Sequence, residues 1–168
     1  HVIVLDRSLP ESAWRSAVAT AQGQLELYED EEQVAVLVEP PAPSLPPFQM
    51  MTASEARVLW GQALNQVGGA ASGSLDVAAI YAKALPLLQS GRKLGAPASI
   101  ELLTAPASPG RSGPKVAENL AETVRAQAVA VNVTRLRLAG TTGLSSSLEQ
   151  LAKGTGGAIV DGGGKSWF

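Results

Sequence analysis

The sequence lacks cysteine altogether, and its only histidine is His1, at the first position. Without cysteine the chain can form no disulfide, no thiolate metal site and no thiol nucleophile. With histidine confined to the first residue, a zinc site lacks ligands and a histidine-based catalytic triad lacks its base. We therefore expect a protein that is not an enzyme.

Aromatic residues and an excess of basic charge are also missing. Aromatic side chains make up 4% of the chain, and 13 lysines and arginines stand against 15 acidic residues, giving a net charge of −2. Nucleic-acid-binding proteins usually show a basic surface or aromatic stacking residues, so we expect no nucleic-acid partner. Because the apolar runs are much shorter than the ~20 residues of a membrane-spanning helix, we expect no direct membrane insertion by this chain.

The chain has 168 residues, of which 45% are hydrophobic. This size and composition predict one domain, spanning 1–168, with a core of its own. No charged leader with an apolar core precedes the first strand-like run, and the sequence ends in a glycine-rich stretch. We expect the chain to be a domain excised from a longer protein, and the lack of cysteine fits either side of a bacterial membrane.

Apolar runs and helix-capping patterns predict strands that alternate with helices. Apolar and β-branched runs predict strands at 2–5, 25–28, 33–38, 99–104, 128–133 and 158–160. Apolar faces, capping boxes and a first-turn proline predict helices at 8–21, 52–67, 75–89, 114–127 and from 146 onward. The second and third strands are close enough in sequence to form a β-hairpin.

This order of elements predicts the fold class. Uniformly apolar strands alternating with helices indicate an α/β fold, doubly wound, with a mostly parallel central sheet, helices on both faces and a β-hairpin at the edge. Such sheets bind ligands at the carboxyl ends of their strands, here the loops 6–10, 69–76 and 104–110. Five prolines between 39 and 47 predict an extended surface loop.

A carboxylate and a hydroxyl follow the first strand directly. Asp6 and Ser8 lie at the predicted carboxyl edge of the sheet. Their oxygens are of the hard kind that suits Mg²⁺ or Mn²⁺. The alternative is structural: Ser8 caps the first helix in a capping box with Glu11, and Asp6 accepts backbone N–H bonds in the turn.

A glycine-rich segment, 68–74, approaches the phosphate-binding loop pattern. Gly68 and Gly73 are correctly spaced, but Ser74 stands where the lysine should be and a helix precedes the segment instead of a strand. A nucleoside triphosphate site is therefore not expected. A small-ligand or phosphate-binding domain that uses Asp6 and the helix N-terminus at Ser74 remains the alternative function, although Asp76 already occupies that positive helix end.

Four segments together resemble the von Willebrand factor A (vWA) domain. They are VIVLDRSLP at 2–10, GSLDVAAIYAKAL at 73–85, IELLTA at 100–105 and LEQLAKGTGG at 148–157. Each is similar to a family motif, and they occur in the family's order across nearly the whole chain. The resemblance implies a Rossmann-like vWA topology.

The resemblance also implies a metal-ion-dependent adhesion site, in which a divalent ion accepts a carboxylate from a protein partner. Asp6 and Ser8 match that motif, and Ser74 stands in for its threonine. Pro10 replaces the second serine and Ala105 replaces the second aspartate. With one carboxylate left, we expect a degenerate site that binds no metal or binds Mg²⁺ or Mn²⁺ weakly.

The function implied is a non-enzymatic protein–protein interaction module of a larger bacterial protein. The partner is expected to be another protein, bound by the loops at the carboxyl edge that include Pro10, Pro43, Pro46, Ala105 and Ser108. The opening segment is also similar to vWA modules that membrane-anchored bacterial proteins carry, which implies an anchor outside this chain.

Overall fold

The computed structural model describes residues 1–90, 92, 96–108, 110–138 and 144–162. Its strands are β1 (Val2–Asp6), β2 (Gln33–Glu39), β3 (Met51–Thr52), β4 (Ala98–Thr104), β5 (Val129–Leu136) and β6 (Ile159–Gly162). Its helices are α1 (Glu11–Leu27), α2 (Ala53–Ala63), α3 (Val77–Gln89), α4 (Leu120–Ala126) and α5 (Ser146–Gly154), and a 3₁₀ turn, Leu64–Gln66, follows α2. No helix within these ranges is long and apolar enough to cross a membrane.

The six strands form one sheet in the order β3-β2-β1-β4-β5-β6. All neighbours are parallel except β2 and β3, which are antiparallel. The central strand β1 is buried along its whole length, and its Val4 pairs with Leu37 of β2 on one side and Leu102 of β4 on the other. From β1 the chain first adds β2 and β3 on one side of the sheet and then β4, β5 and β6 on the other side. The carboxyl ends of β1 and β4 therefore form the topological switch point.

Helices cover both faces of this sheet. Alternate residues of β1 point to opposite faces, so Val2 and Val4 pack against α3, α4 and α5, whereas Ile3 and Leu5 pack against α1 and α2. Both cores consist mainly of Val, Leu, Ile and Ala, with Trp14 and Trp60 buried on the α1–α2 side. The structure therefore has the predicted doubly wound, mostly parallel α/β architecture.

The predicted β-hairpin is wrong, because α1 continues through Leu27. Leu25 lies one helical turn after Ala21, and both are buried on the helix face that packs on the sheet. Leu27 is 78% exposed, so the apparent alternation at 25–28 comes from a helix that presents two different faces. The antiparallel edge strand is instead β3, which follows the proline-rich loop 40–50. Its Thr52 pairs with Gln33 of β2.

Two predicted helix starts are also wrong, and a third is confirmed. Helix α1 begins at Glu11 after Pro10, and Ser8 makes no cap because its hydroxyl donates to Asp6. Helix α4 begins at Leu120, not near 114, and the preceding segment forms a β-bridge between Lys115 and Asp76. The Thr52–Glu55 capping box forms as predicted, with both reciprocal hydrogen bonds present.

Candidate functional site

Two buried polar side chains meet at the switch point of the sheet. Asp6 ends β1 and Thr104 ends the neighbouring β4, and both are 0% exposed. The Thr104 hydroxyl donates to Asp6 Oδ2 at 2.6 Å. Adjacent parallel strands bring their last residues together, so this contact follows directly from the sheet order.

The other oxygen of the same carboxylate is held by its own turn. Ser8 donates to Asp6 Oδ1 twice, from its backbone N–H at 3.0 Å and from its hydroxyl at 2.5 Å. Asp6 therefore accepts a backbone N–H in the turn, as the structural alternative predicted. Ser8 donates to Asp6 and does not cap a helix. Burying a carboxylate is costly unless hydrogen-bond donors and a nearby cation compensate for the lost water.

That cation is the guanidinium of Arg111. Its Nη2 lies 2.5 Å from Asp6 Oδ2, and the two side chains are 8% and 1% exposed. Its Nη1 donates to the backbone carbonyls of Ala105 and Pro106, at 3.1 and 2.9 Å. Arg111 thus joins the carboxyl end of β1 to the start of the loop that follows β4.

A cleft of about 610 Å³ opens beside this ion pair. Its described lining residues come from the three loops at the carboxyl edge: Ser8, Pro10, Ala70, Ala71, Ser72, Gly73, Ser74, Ser108, Gly110, Arg111, Ser112 and Lys115. Five of them are serines, two are basic and none is acidic. The cleft is therefore polar and weakly positive, with hydroxyls as its most frequent side-chain groups.

The wall formed by residues 68–74 is tied to the turn after β1. Ala70 and Ala71 donate backbone hydrogen bonds to Leu9 and Arg7, at 2.6 and 3.0 Å. Gly73 has a φ of +121°, a conformation that other residues rarely adopt, and a Cβ there would lie 3.2 Å from Pro40 Cγ. The wall is consequently held in one shape by backbone contacts.

The proline-rich loop is fixed to the same turn by a second arginine. Arg7 donates from Nε to Pro40 O at 2.8 Å and from Nη2 to Pro41 O at 2.9 Å. Farther along this loop, Pro43 is exposed and Pro46 is half-buried. Both predicted loop residues lie outside the described lining of the cleft.

The structure places the other predicted residues in different settings. Pro10 is exposed, Ser74 and Ser108 are half-buried, and all three line the cleft. Ser74 lies in the loop before α3, because that helix begins at Val77 with Asp76 as its N-cap, so no helix N-terminus is present at Ser74. Ala105 is fully buried, so its side chain lies in the core and not on a partner-binding surface, a correction to the sequence analysis.

Sequence reasoning missed Thr104, Arg111 and Lys115. Thr104 is the last residue of the predicted strand 99–104. A polar side chain at the end of an apolar strand is the signal that could have identified it as a site residue. Arg111 follows the same strand by seven positions, and a buried aspartate at a switch point requires a nearby cation. Lys115 was assigned to a helix, and nothing in its local pattern indicated the bridge to Asp76.

The residues at Asp6 do not fit the divalent-ion site that the resemblance implied. Mg²⁺ favours near-octahedral oxygen coordination, yet both Asp6 oxygens already accept hydrogen bonds and Arg111 already supplies the positive charge. Within the described ranges, no group of three or more His, Cys, Asp and Glu side chains could hold a metal ion. An ion bound at Asp6 Oδ2 would compete with the guanidinium for that oxygen.

Comparisons with known proteins identify the fold. No protein-family model matches the chain, and no curated protein sequence matches it. A solved structure described as von Willebrand factor type A from Catenulispora acidiphila aligns with a TM-score of 0.65 at 15% sequence identity. The alignment covers 95% of this chain and 37% of that chain. The chain therefore has the vWA fold that its sequence motifs predicted.

Proposed function

We propose that this vWA-fold domain is a non-enzymatic protein-interaction module that binds its partner without a divalent cation. The observation that carries the proposal is the buried contact between Arg111 Nη2 and Asp6 Oδ2, 2.5 Å long. A side chain of the chain itself supplies the positive charge at the position where the resemblance implied a metal. Binding then depends on the shape and polarity of the surrounding loops.

The loop surface supports this proposal. The cleft has exposed residues on each of its contributing loops, including Pro10, Ser72 and Ser112, and its walls are fixed by backbone hydrogen bonds. A surface that is already ordered loses little conformational entropy when a partner binds. The carboxyl edge of the sheet is thus suited to present a preformed binding surface.

The lining of the cleft argues against catalysis there. Its described residues include no histidine, aspartate or glutamate that could act as a general base. Asp6 lies just beneath, but it is fully buried and both of its oxygens accept hydrogen bonds. The lack of a carboxylate or imidazole among the described lining residues supports a binding function.

The alternative of a phosphate-binding domain finds less support. It required Asp6 and a helix N-terminus at Ser74, but Asp6 is paired with Arg111 and the first turn of α3 is capped by Asp76. A negative cap at a helix N-terminus competes with a bound anion. We therefore retain the interaction module as the proposal.

We further propose that the domain belongs to a larger bacterial protein. The match to the Catenulispora acidiphila protein covers only 37% of that protein's chain, which supports a vWA-fold domain carried within a longer chain. The membrane-anchored parent implied by the opening segment stays a prediction.

Affinity capture with matched variants tests the proposed function. The immobilised domain is incubated with a lysate of the source organism in EDTA or in millimolar Mg²⁺. It is compared with Ser112→Arg, at the cleft, and Ser54→Arg, on α2 beside the opposite edge of the sheet; both serines are exposed. We expect a protein retained equally in EDTA and Mg²⁺, retained by Ser54→Arg and lost with Ser112→Arg. Capture that requires Mg²⁺, or equal capture by both variants, contradicts the proposal.

A further inference from the structure

A second pocket lies at the opposite end of the sheet, where the parallel strands begin. This amino-edge pocket is the space between the starts of β2 and β4 and the end of α3, bounded by Glu32, Met50, Leu87, Leu88, Arg92 and Ala98. Its volume of about 640 Å³ is within the range of small-molecule sites in proteins. It shares no described lining residue with the cleft beside Arg111.

The amino-edge pocket has an aliphatic floor and wall. Leu88 and Ala98 belong to the core on the α3 side of the sheet and are only 5% and 7% exposed. Met50 and Leu87 are half-buried and pack against the same core. Its described lining residues include no phenylalanine, tyrosine or tryptophan. Methionine adapts to irregular apolar shapes, so this lining favours a flexible aliphatic chain over a flat ring.

A cation, Arg92, lies on the β4 side of this pocket. Its Nε donates to Ala96 O at 3.0 Å. Its Nη1 and Nη2 donate to Gln127 O and Ala128 O, at 3.1 and 3.0 Å. All three acceptors are uncharged, and Arg92 forms no ion pair with any residue in the described ranges. Because a guanidinium has five N–H donors, one on each terminal nitrogen remains for a ligand.

The acid in the lining, Glu32, lies on the other side of the pocket. It precedes β2, and β1 lies between β2 and β4, so the two sides are about 10 Å apart. Both Glu32 oxygens have partners within the domain. Oε2 accepts the N–H of Glu29 at 2.7 Å, and Oε1 lies 3.5 Å from His1 Nε2. Glu32 therefore leaves the charge of Arg92 available to a ligand.

We propose that the amino-edge pocket binds a small aliphatic monocarboxylic acid. The aliphatic chain packs against Met50, Leu87 and Leu88, and the carboxylate accepts hydrogen bonds from the Arg92 guanidinium. Such charge-assisted bonds are about twice as strong as those between neutral groups. The inference goes beyond the protein-interaction function above, because it assigns a different ligand to the opposite end of the sheet.

A chain-length series followed by NMR tests this assignment. The ¹⁵N-labelled domain is titrated with butanoate, hexanoate or octanoate below micellar concentrations, and the amides of Leu87, Arg92 and Ala98 are followed. Burial of one methylene contributes about 0.8 kcal/mol, a factor of about four in affinity. Octanoate should therefore bind roughly 15-fold more tightly than hexanoate. Octanol and octylammonium carry the same chain without the carboxylate, and we expect each to bind at least tenfold more weakly than octanoate.

Variants separate the contributions of charge and apolar surface. Arg92→Gln should weaken octanoate binding at least tenfold and leave octanol binding unchanged. Leu87→Gln should weaken both ligands equally, and it carries the test if Arg92→Gln does not fold. The controls are Arg137→Gln, at an exposed position directly after β5, and Leu59→Gln, at a 44% exposed position of α2. Both controls should bind octanoate like the unmodified domain.

The remaining outcomes decide between this site and others. Equal affinity for octanoate and octanol, or tighter binding of octylammonium, overturns the choice of an acid. An effect of Arg137→Gln equal to that of Arg92→Gln overturns the assignment of Arg92. Octanoate binding that is lost in Ser112→Arg places the acid in the other cleft and also overturns the proposal. Unchanged binding in Ser112→Arg supports a separate site, whatever that variant does to capture of a protein partner.

Discussion

Replacement of Arg111 by methionine should strongly destabilise the domain, because it removes the counterion of a buried carboxylate. The substitution keeps the aliphatic part of the side chain in place and removes the guanidinium. Asp6 is then left buried, at 1% side-chain exposure, with two hydroxyls and one N–H but no counterion. Removing one partner of a buried ion pair typically costs about 3–5 kcal/mol.

This magnitude converts into an easily measured shift. For a domain of this length, each kcal/mol lowers the melting temperature by roughly 2–4 °C, so Arg111→Met should melt roughly 6–20 °C below the unmodified domain. Urea unfolding followed by circular dichroism gives the free energy directly. The loop after β4 also loses its two hydrogen bonds from Nη1, which adds to the same effect.

A second arginine provides the control for this measurement. Arg135 pairs with Asp161 at 2.7 Å, but these side chains are 36% and 49% exposed. Solvent screens such a pair, so Arg135→Met should cost less than about 1 kcal/mol. A double-mutant cycle with Asp6→Asn should show strong coupling to Arg111→Met. Equal costs for the two arginine variants, or no coupling in the cycle, would refute the assignment of Arg111 as the counterion of Asp6.

Four further predictions address the site and the fold. Thermal unfolding in EDTA and in millimolar Mg²⁺ or Mn²⁺ should differ by less than about 1 °C, whereas an ion at 100 times its dissociation constant would stabilise the domain by about 2.7 kcal/mol. Gly157→Ala should prevent stable folding in a urea titration, because a Cβ there would lie 1.9 Å from Val131 O. Gly23→Ala, in an exposed and open position of α1, should instead stabilise the domain by about 0.5–1 kcal/mol. Thr52→Ala should lower the free energy of unfolding by about 1 kcal/mol through loss of the α2 cap.

The central architecture could be predicted because its signals are repeated along the chain. Runs such as Val2–Asp6 are buried on both faces, which requires helices on either side of a parallel sheet. The vWA-like segments indicated a Rossmann-like vWA topology in addition. Errors occurred where a short pattern had two physical meanings, as at 25–28, where two leucines on different faces of one helix imitated a strand.

Two capping-box patterns with the same spacing have different outcomes in the structure. Thr52 and Glu55 form the predicted cap, and both reciprocal hydrogen bonds are present. Ser8 and Glu11 have the same spacing, but Asp6 takes the serine hydroxyl and Glu11 instead accepts from Gly69 N at 2.8 Å. The outcome depended on Asp6, which precedes the four-residue pattern by two positions, and on Gly69, 58 positions after Glu11.

The candidate site was predicted only in part for the same reason. Asp6 and Ser8 were identified as one polar cluster, and the structure joins them by two hydrogen bonds. Arg111 lies 105 residues from Asp6 in sequence, and no local motif links the two. Only the alignment of β1 and β4 at the switch point brings the arginine loop over the aspartate.

The covalent attachment of the Arg111 guanidinium to the chain has a consequence for the conditions under which the domain is ordered. A dissociable ion occupies its site according to its free concentration, whereas a tethered group has a fixed effective concentration. The charge opposite Asp6 is therefore supplied once, during folding, and neither dilution nor chelation removes it. The loop that carries Arg111 is held in place by the same event, so the cleft that it borders is formed before any partner arrives.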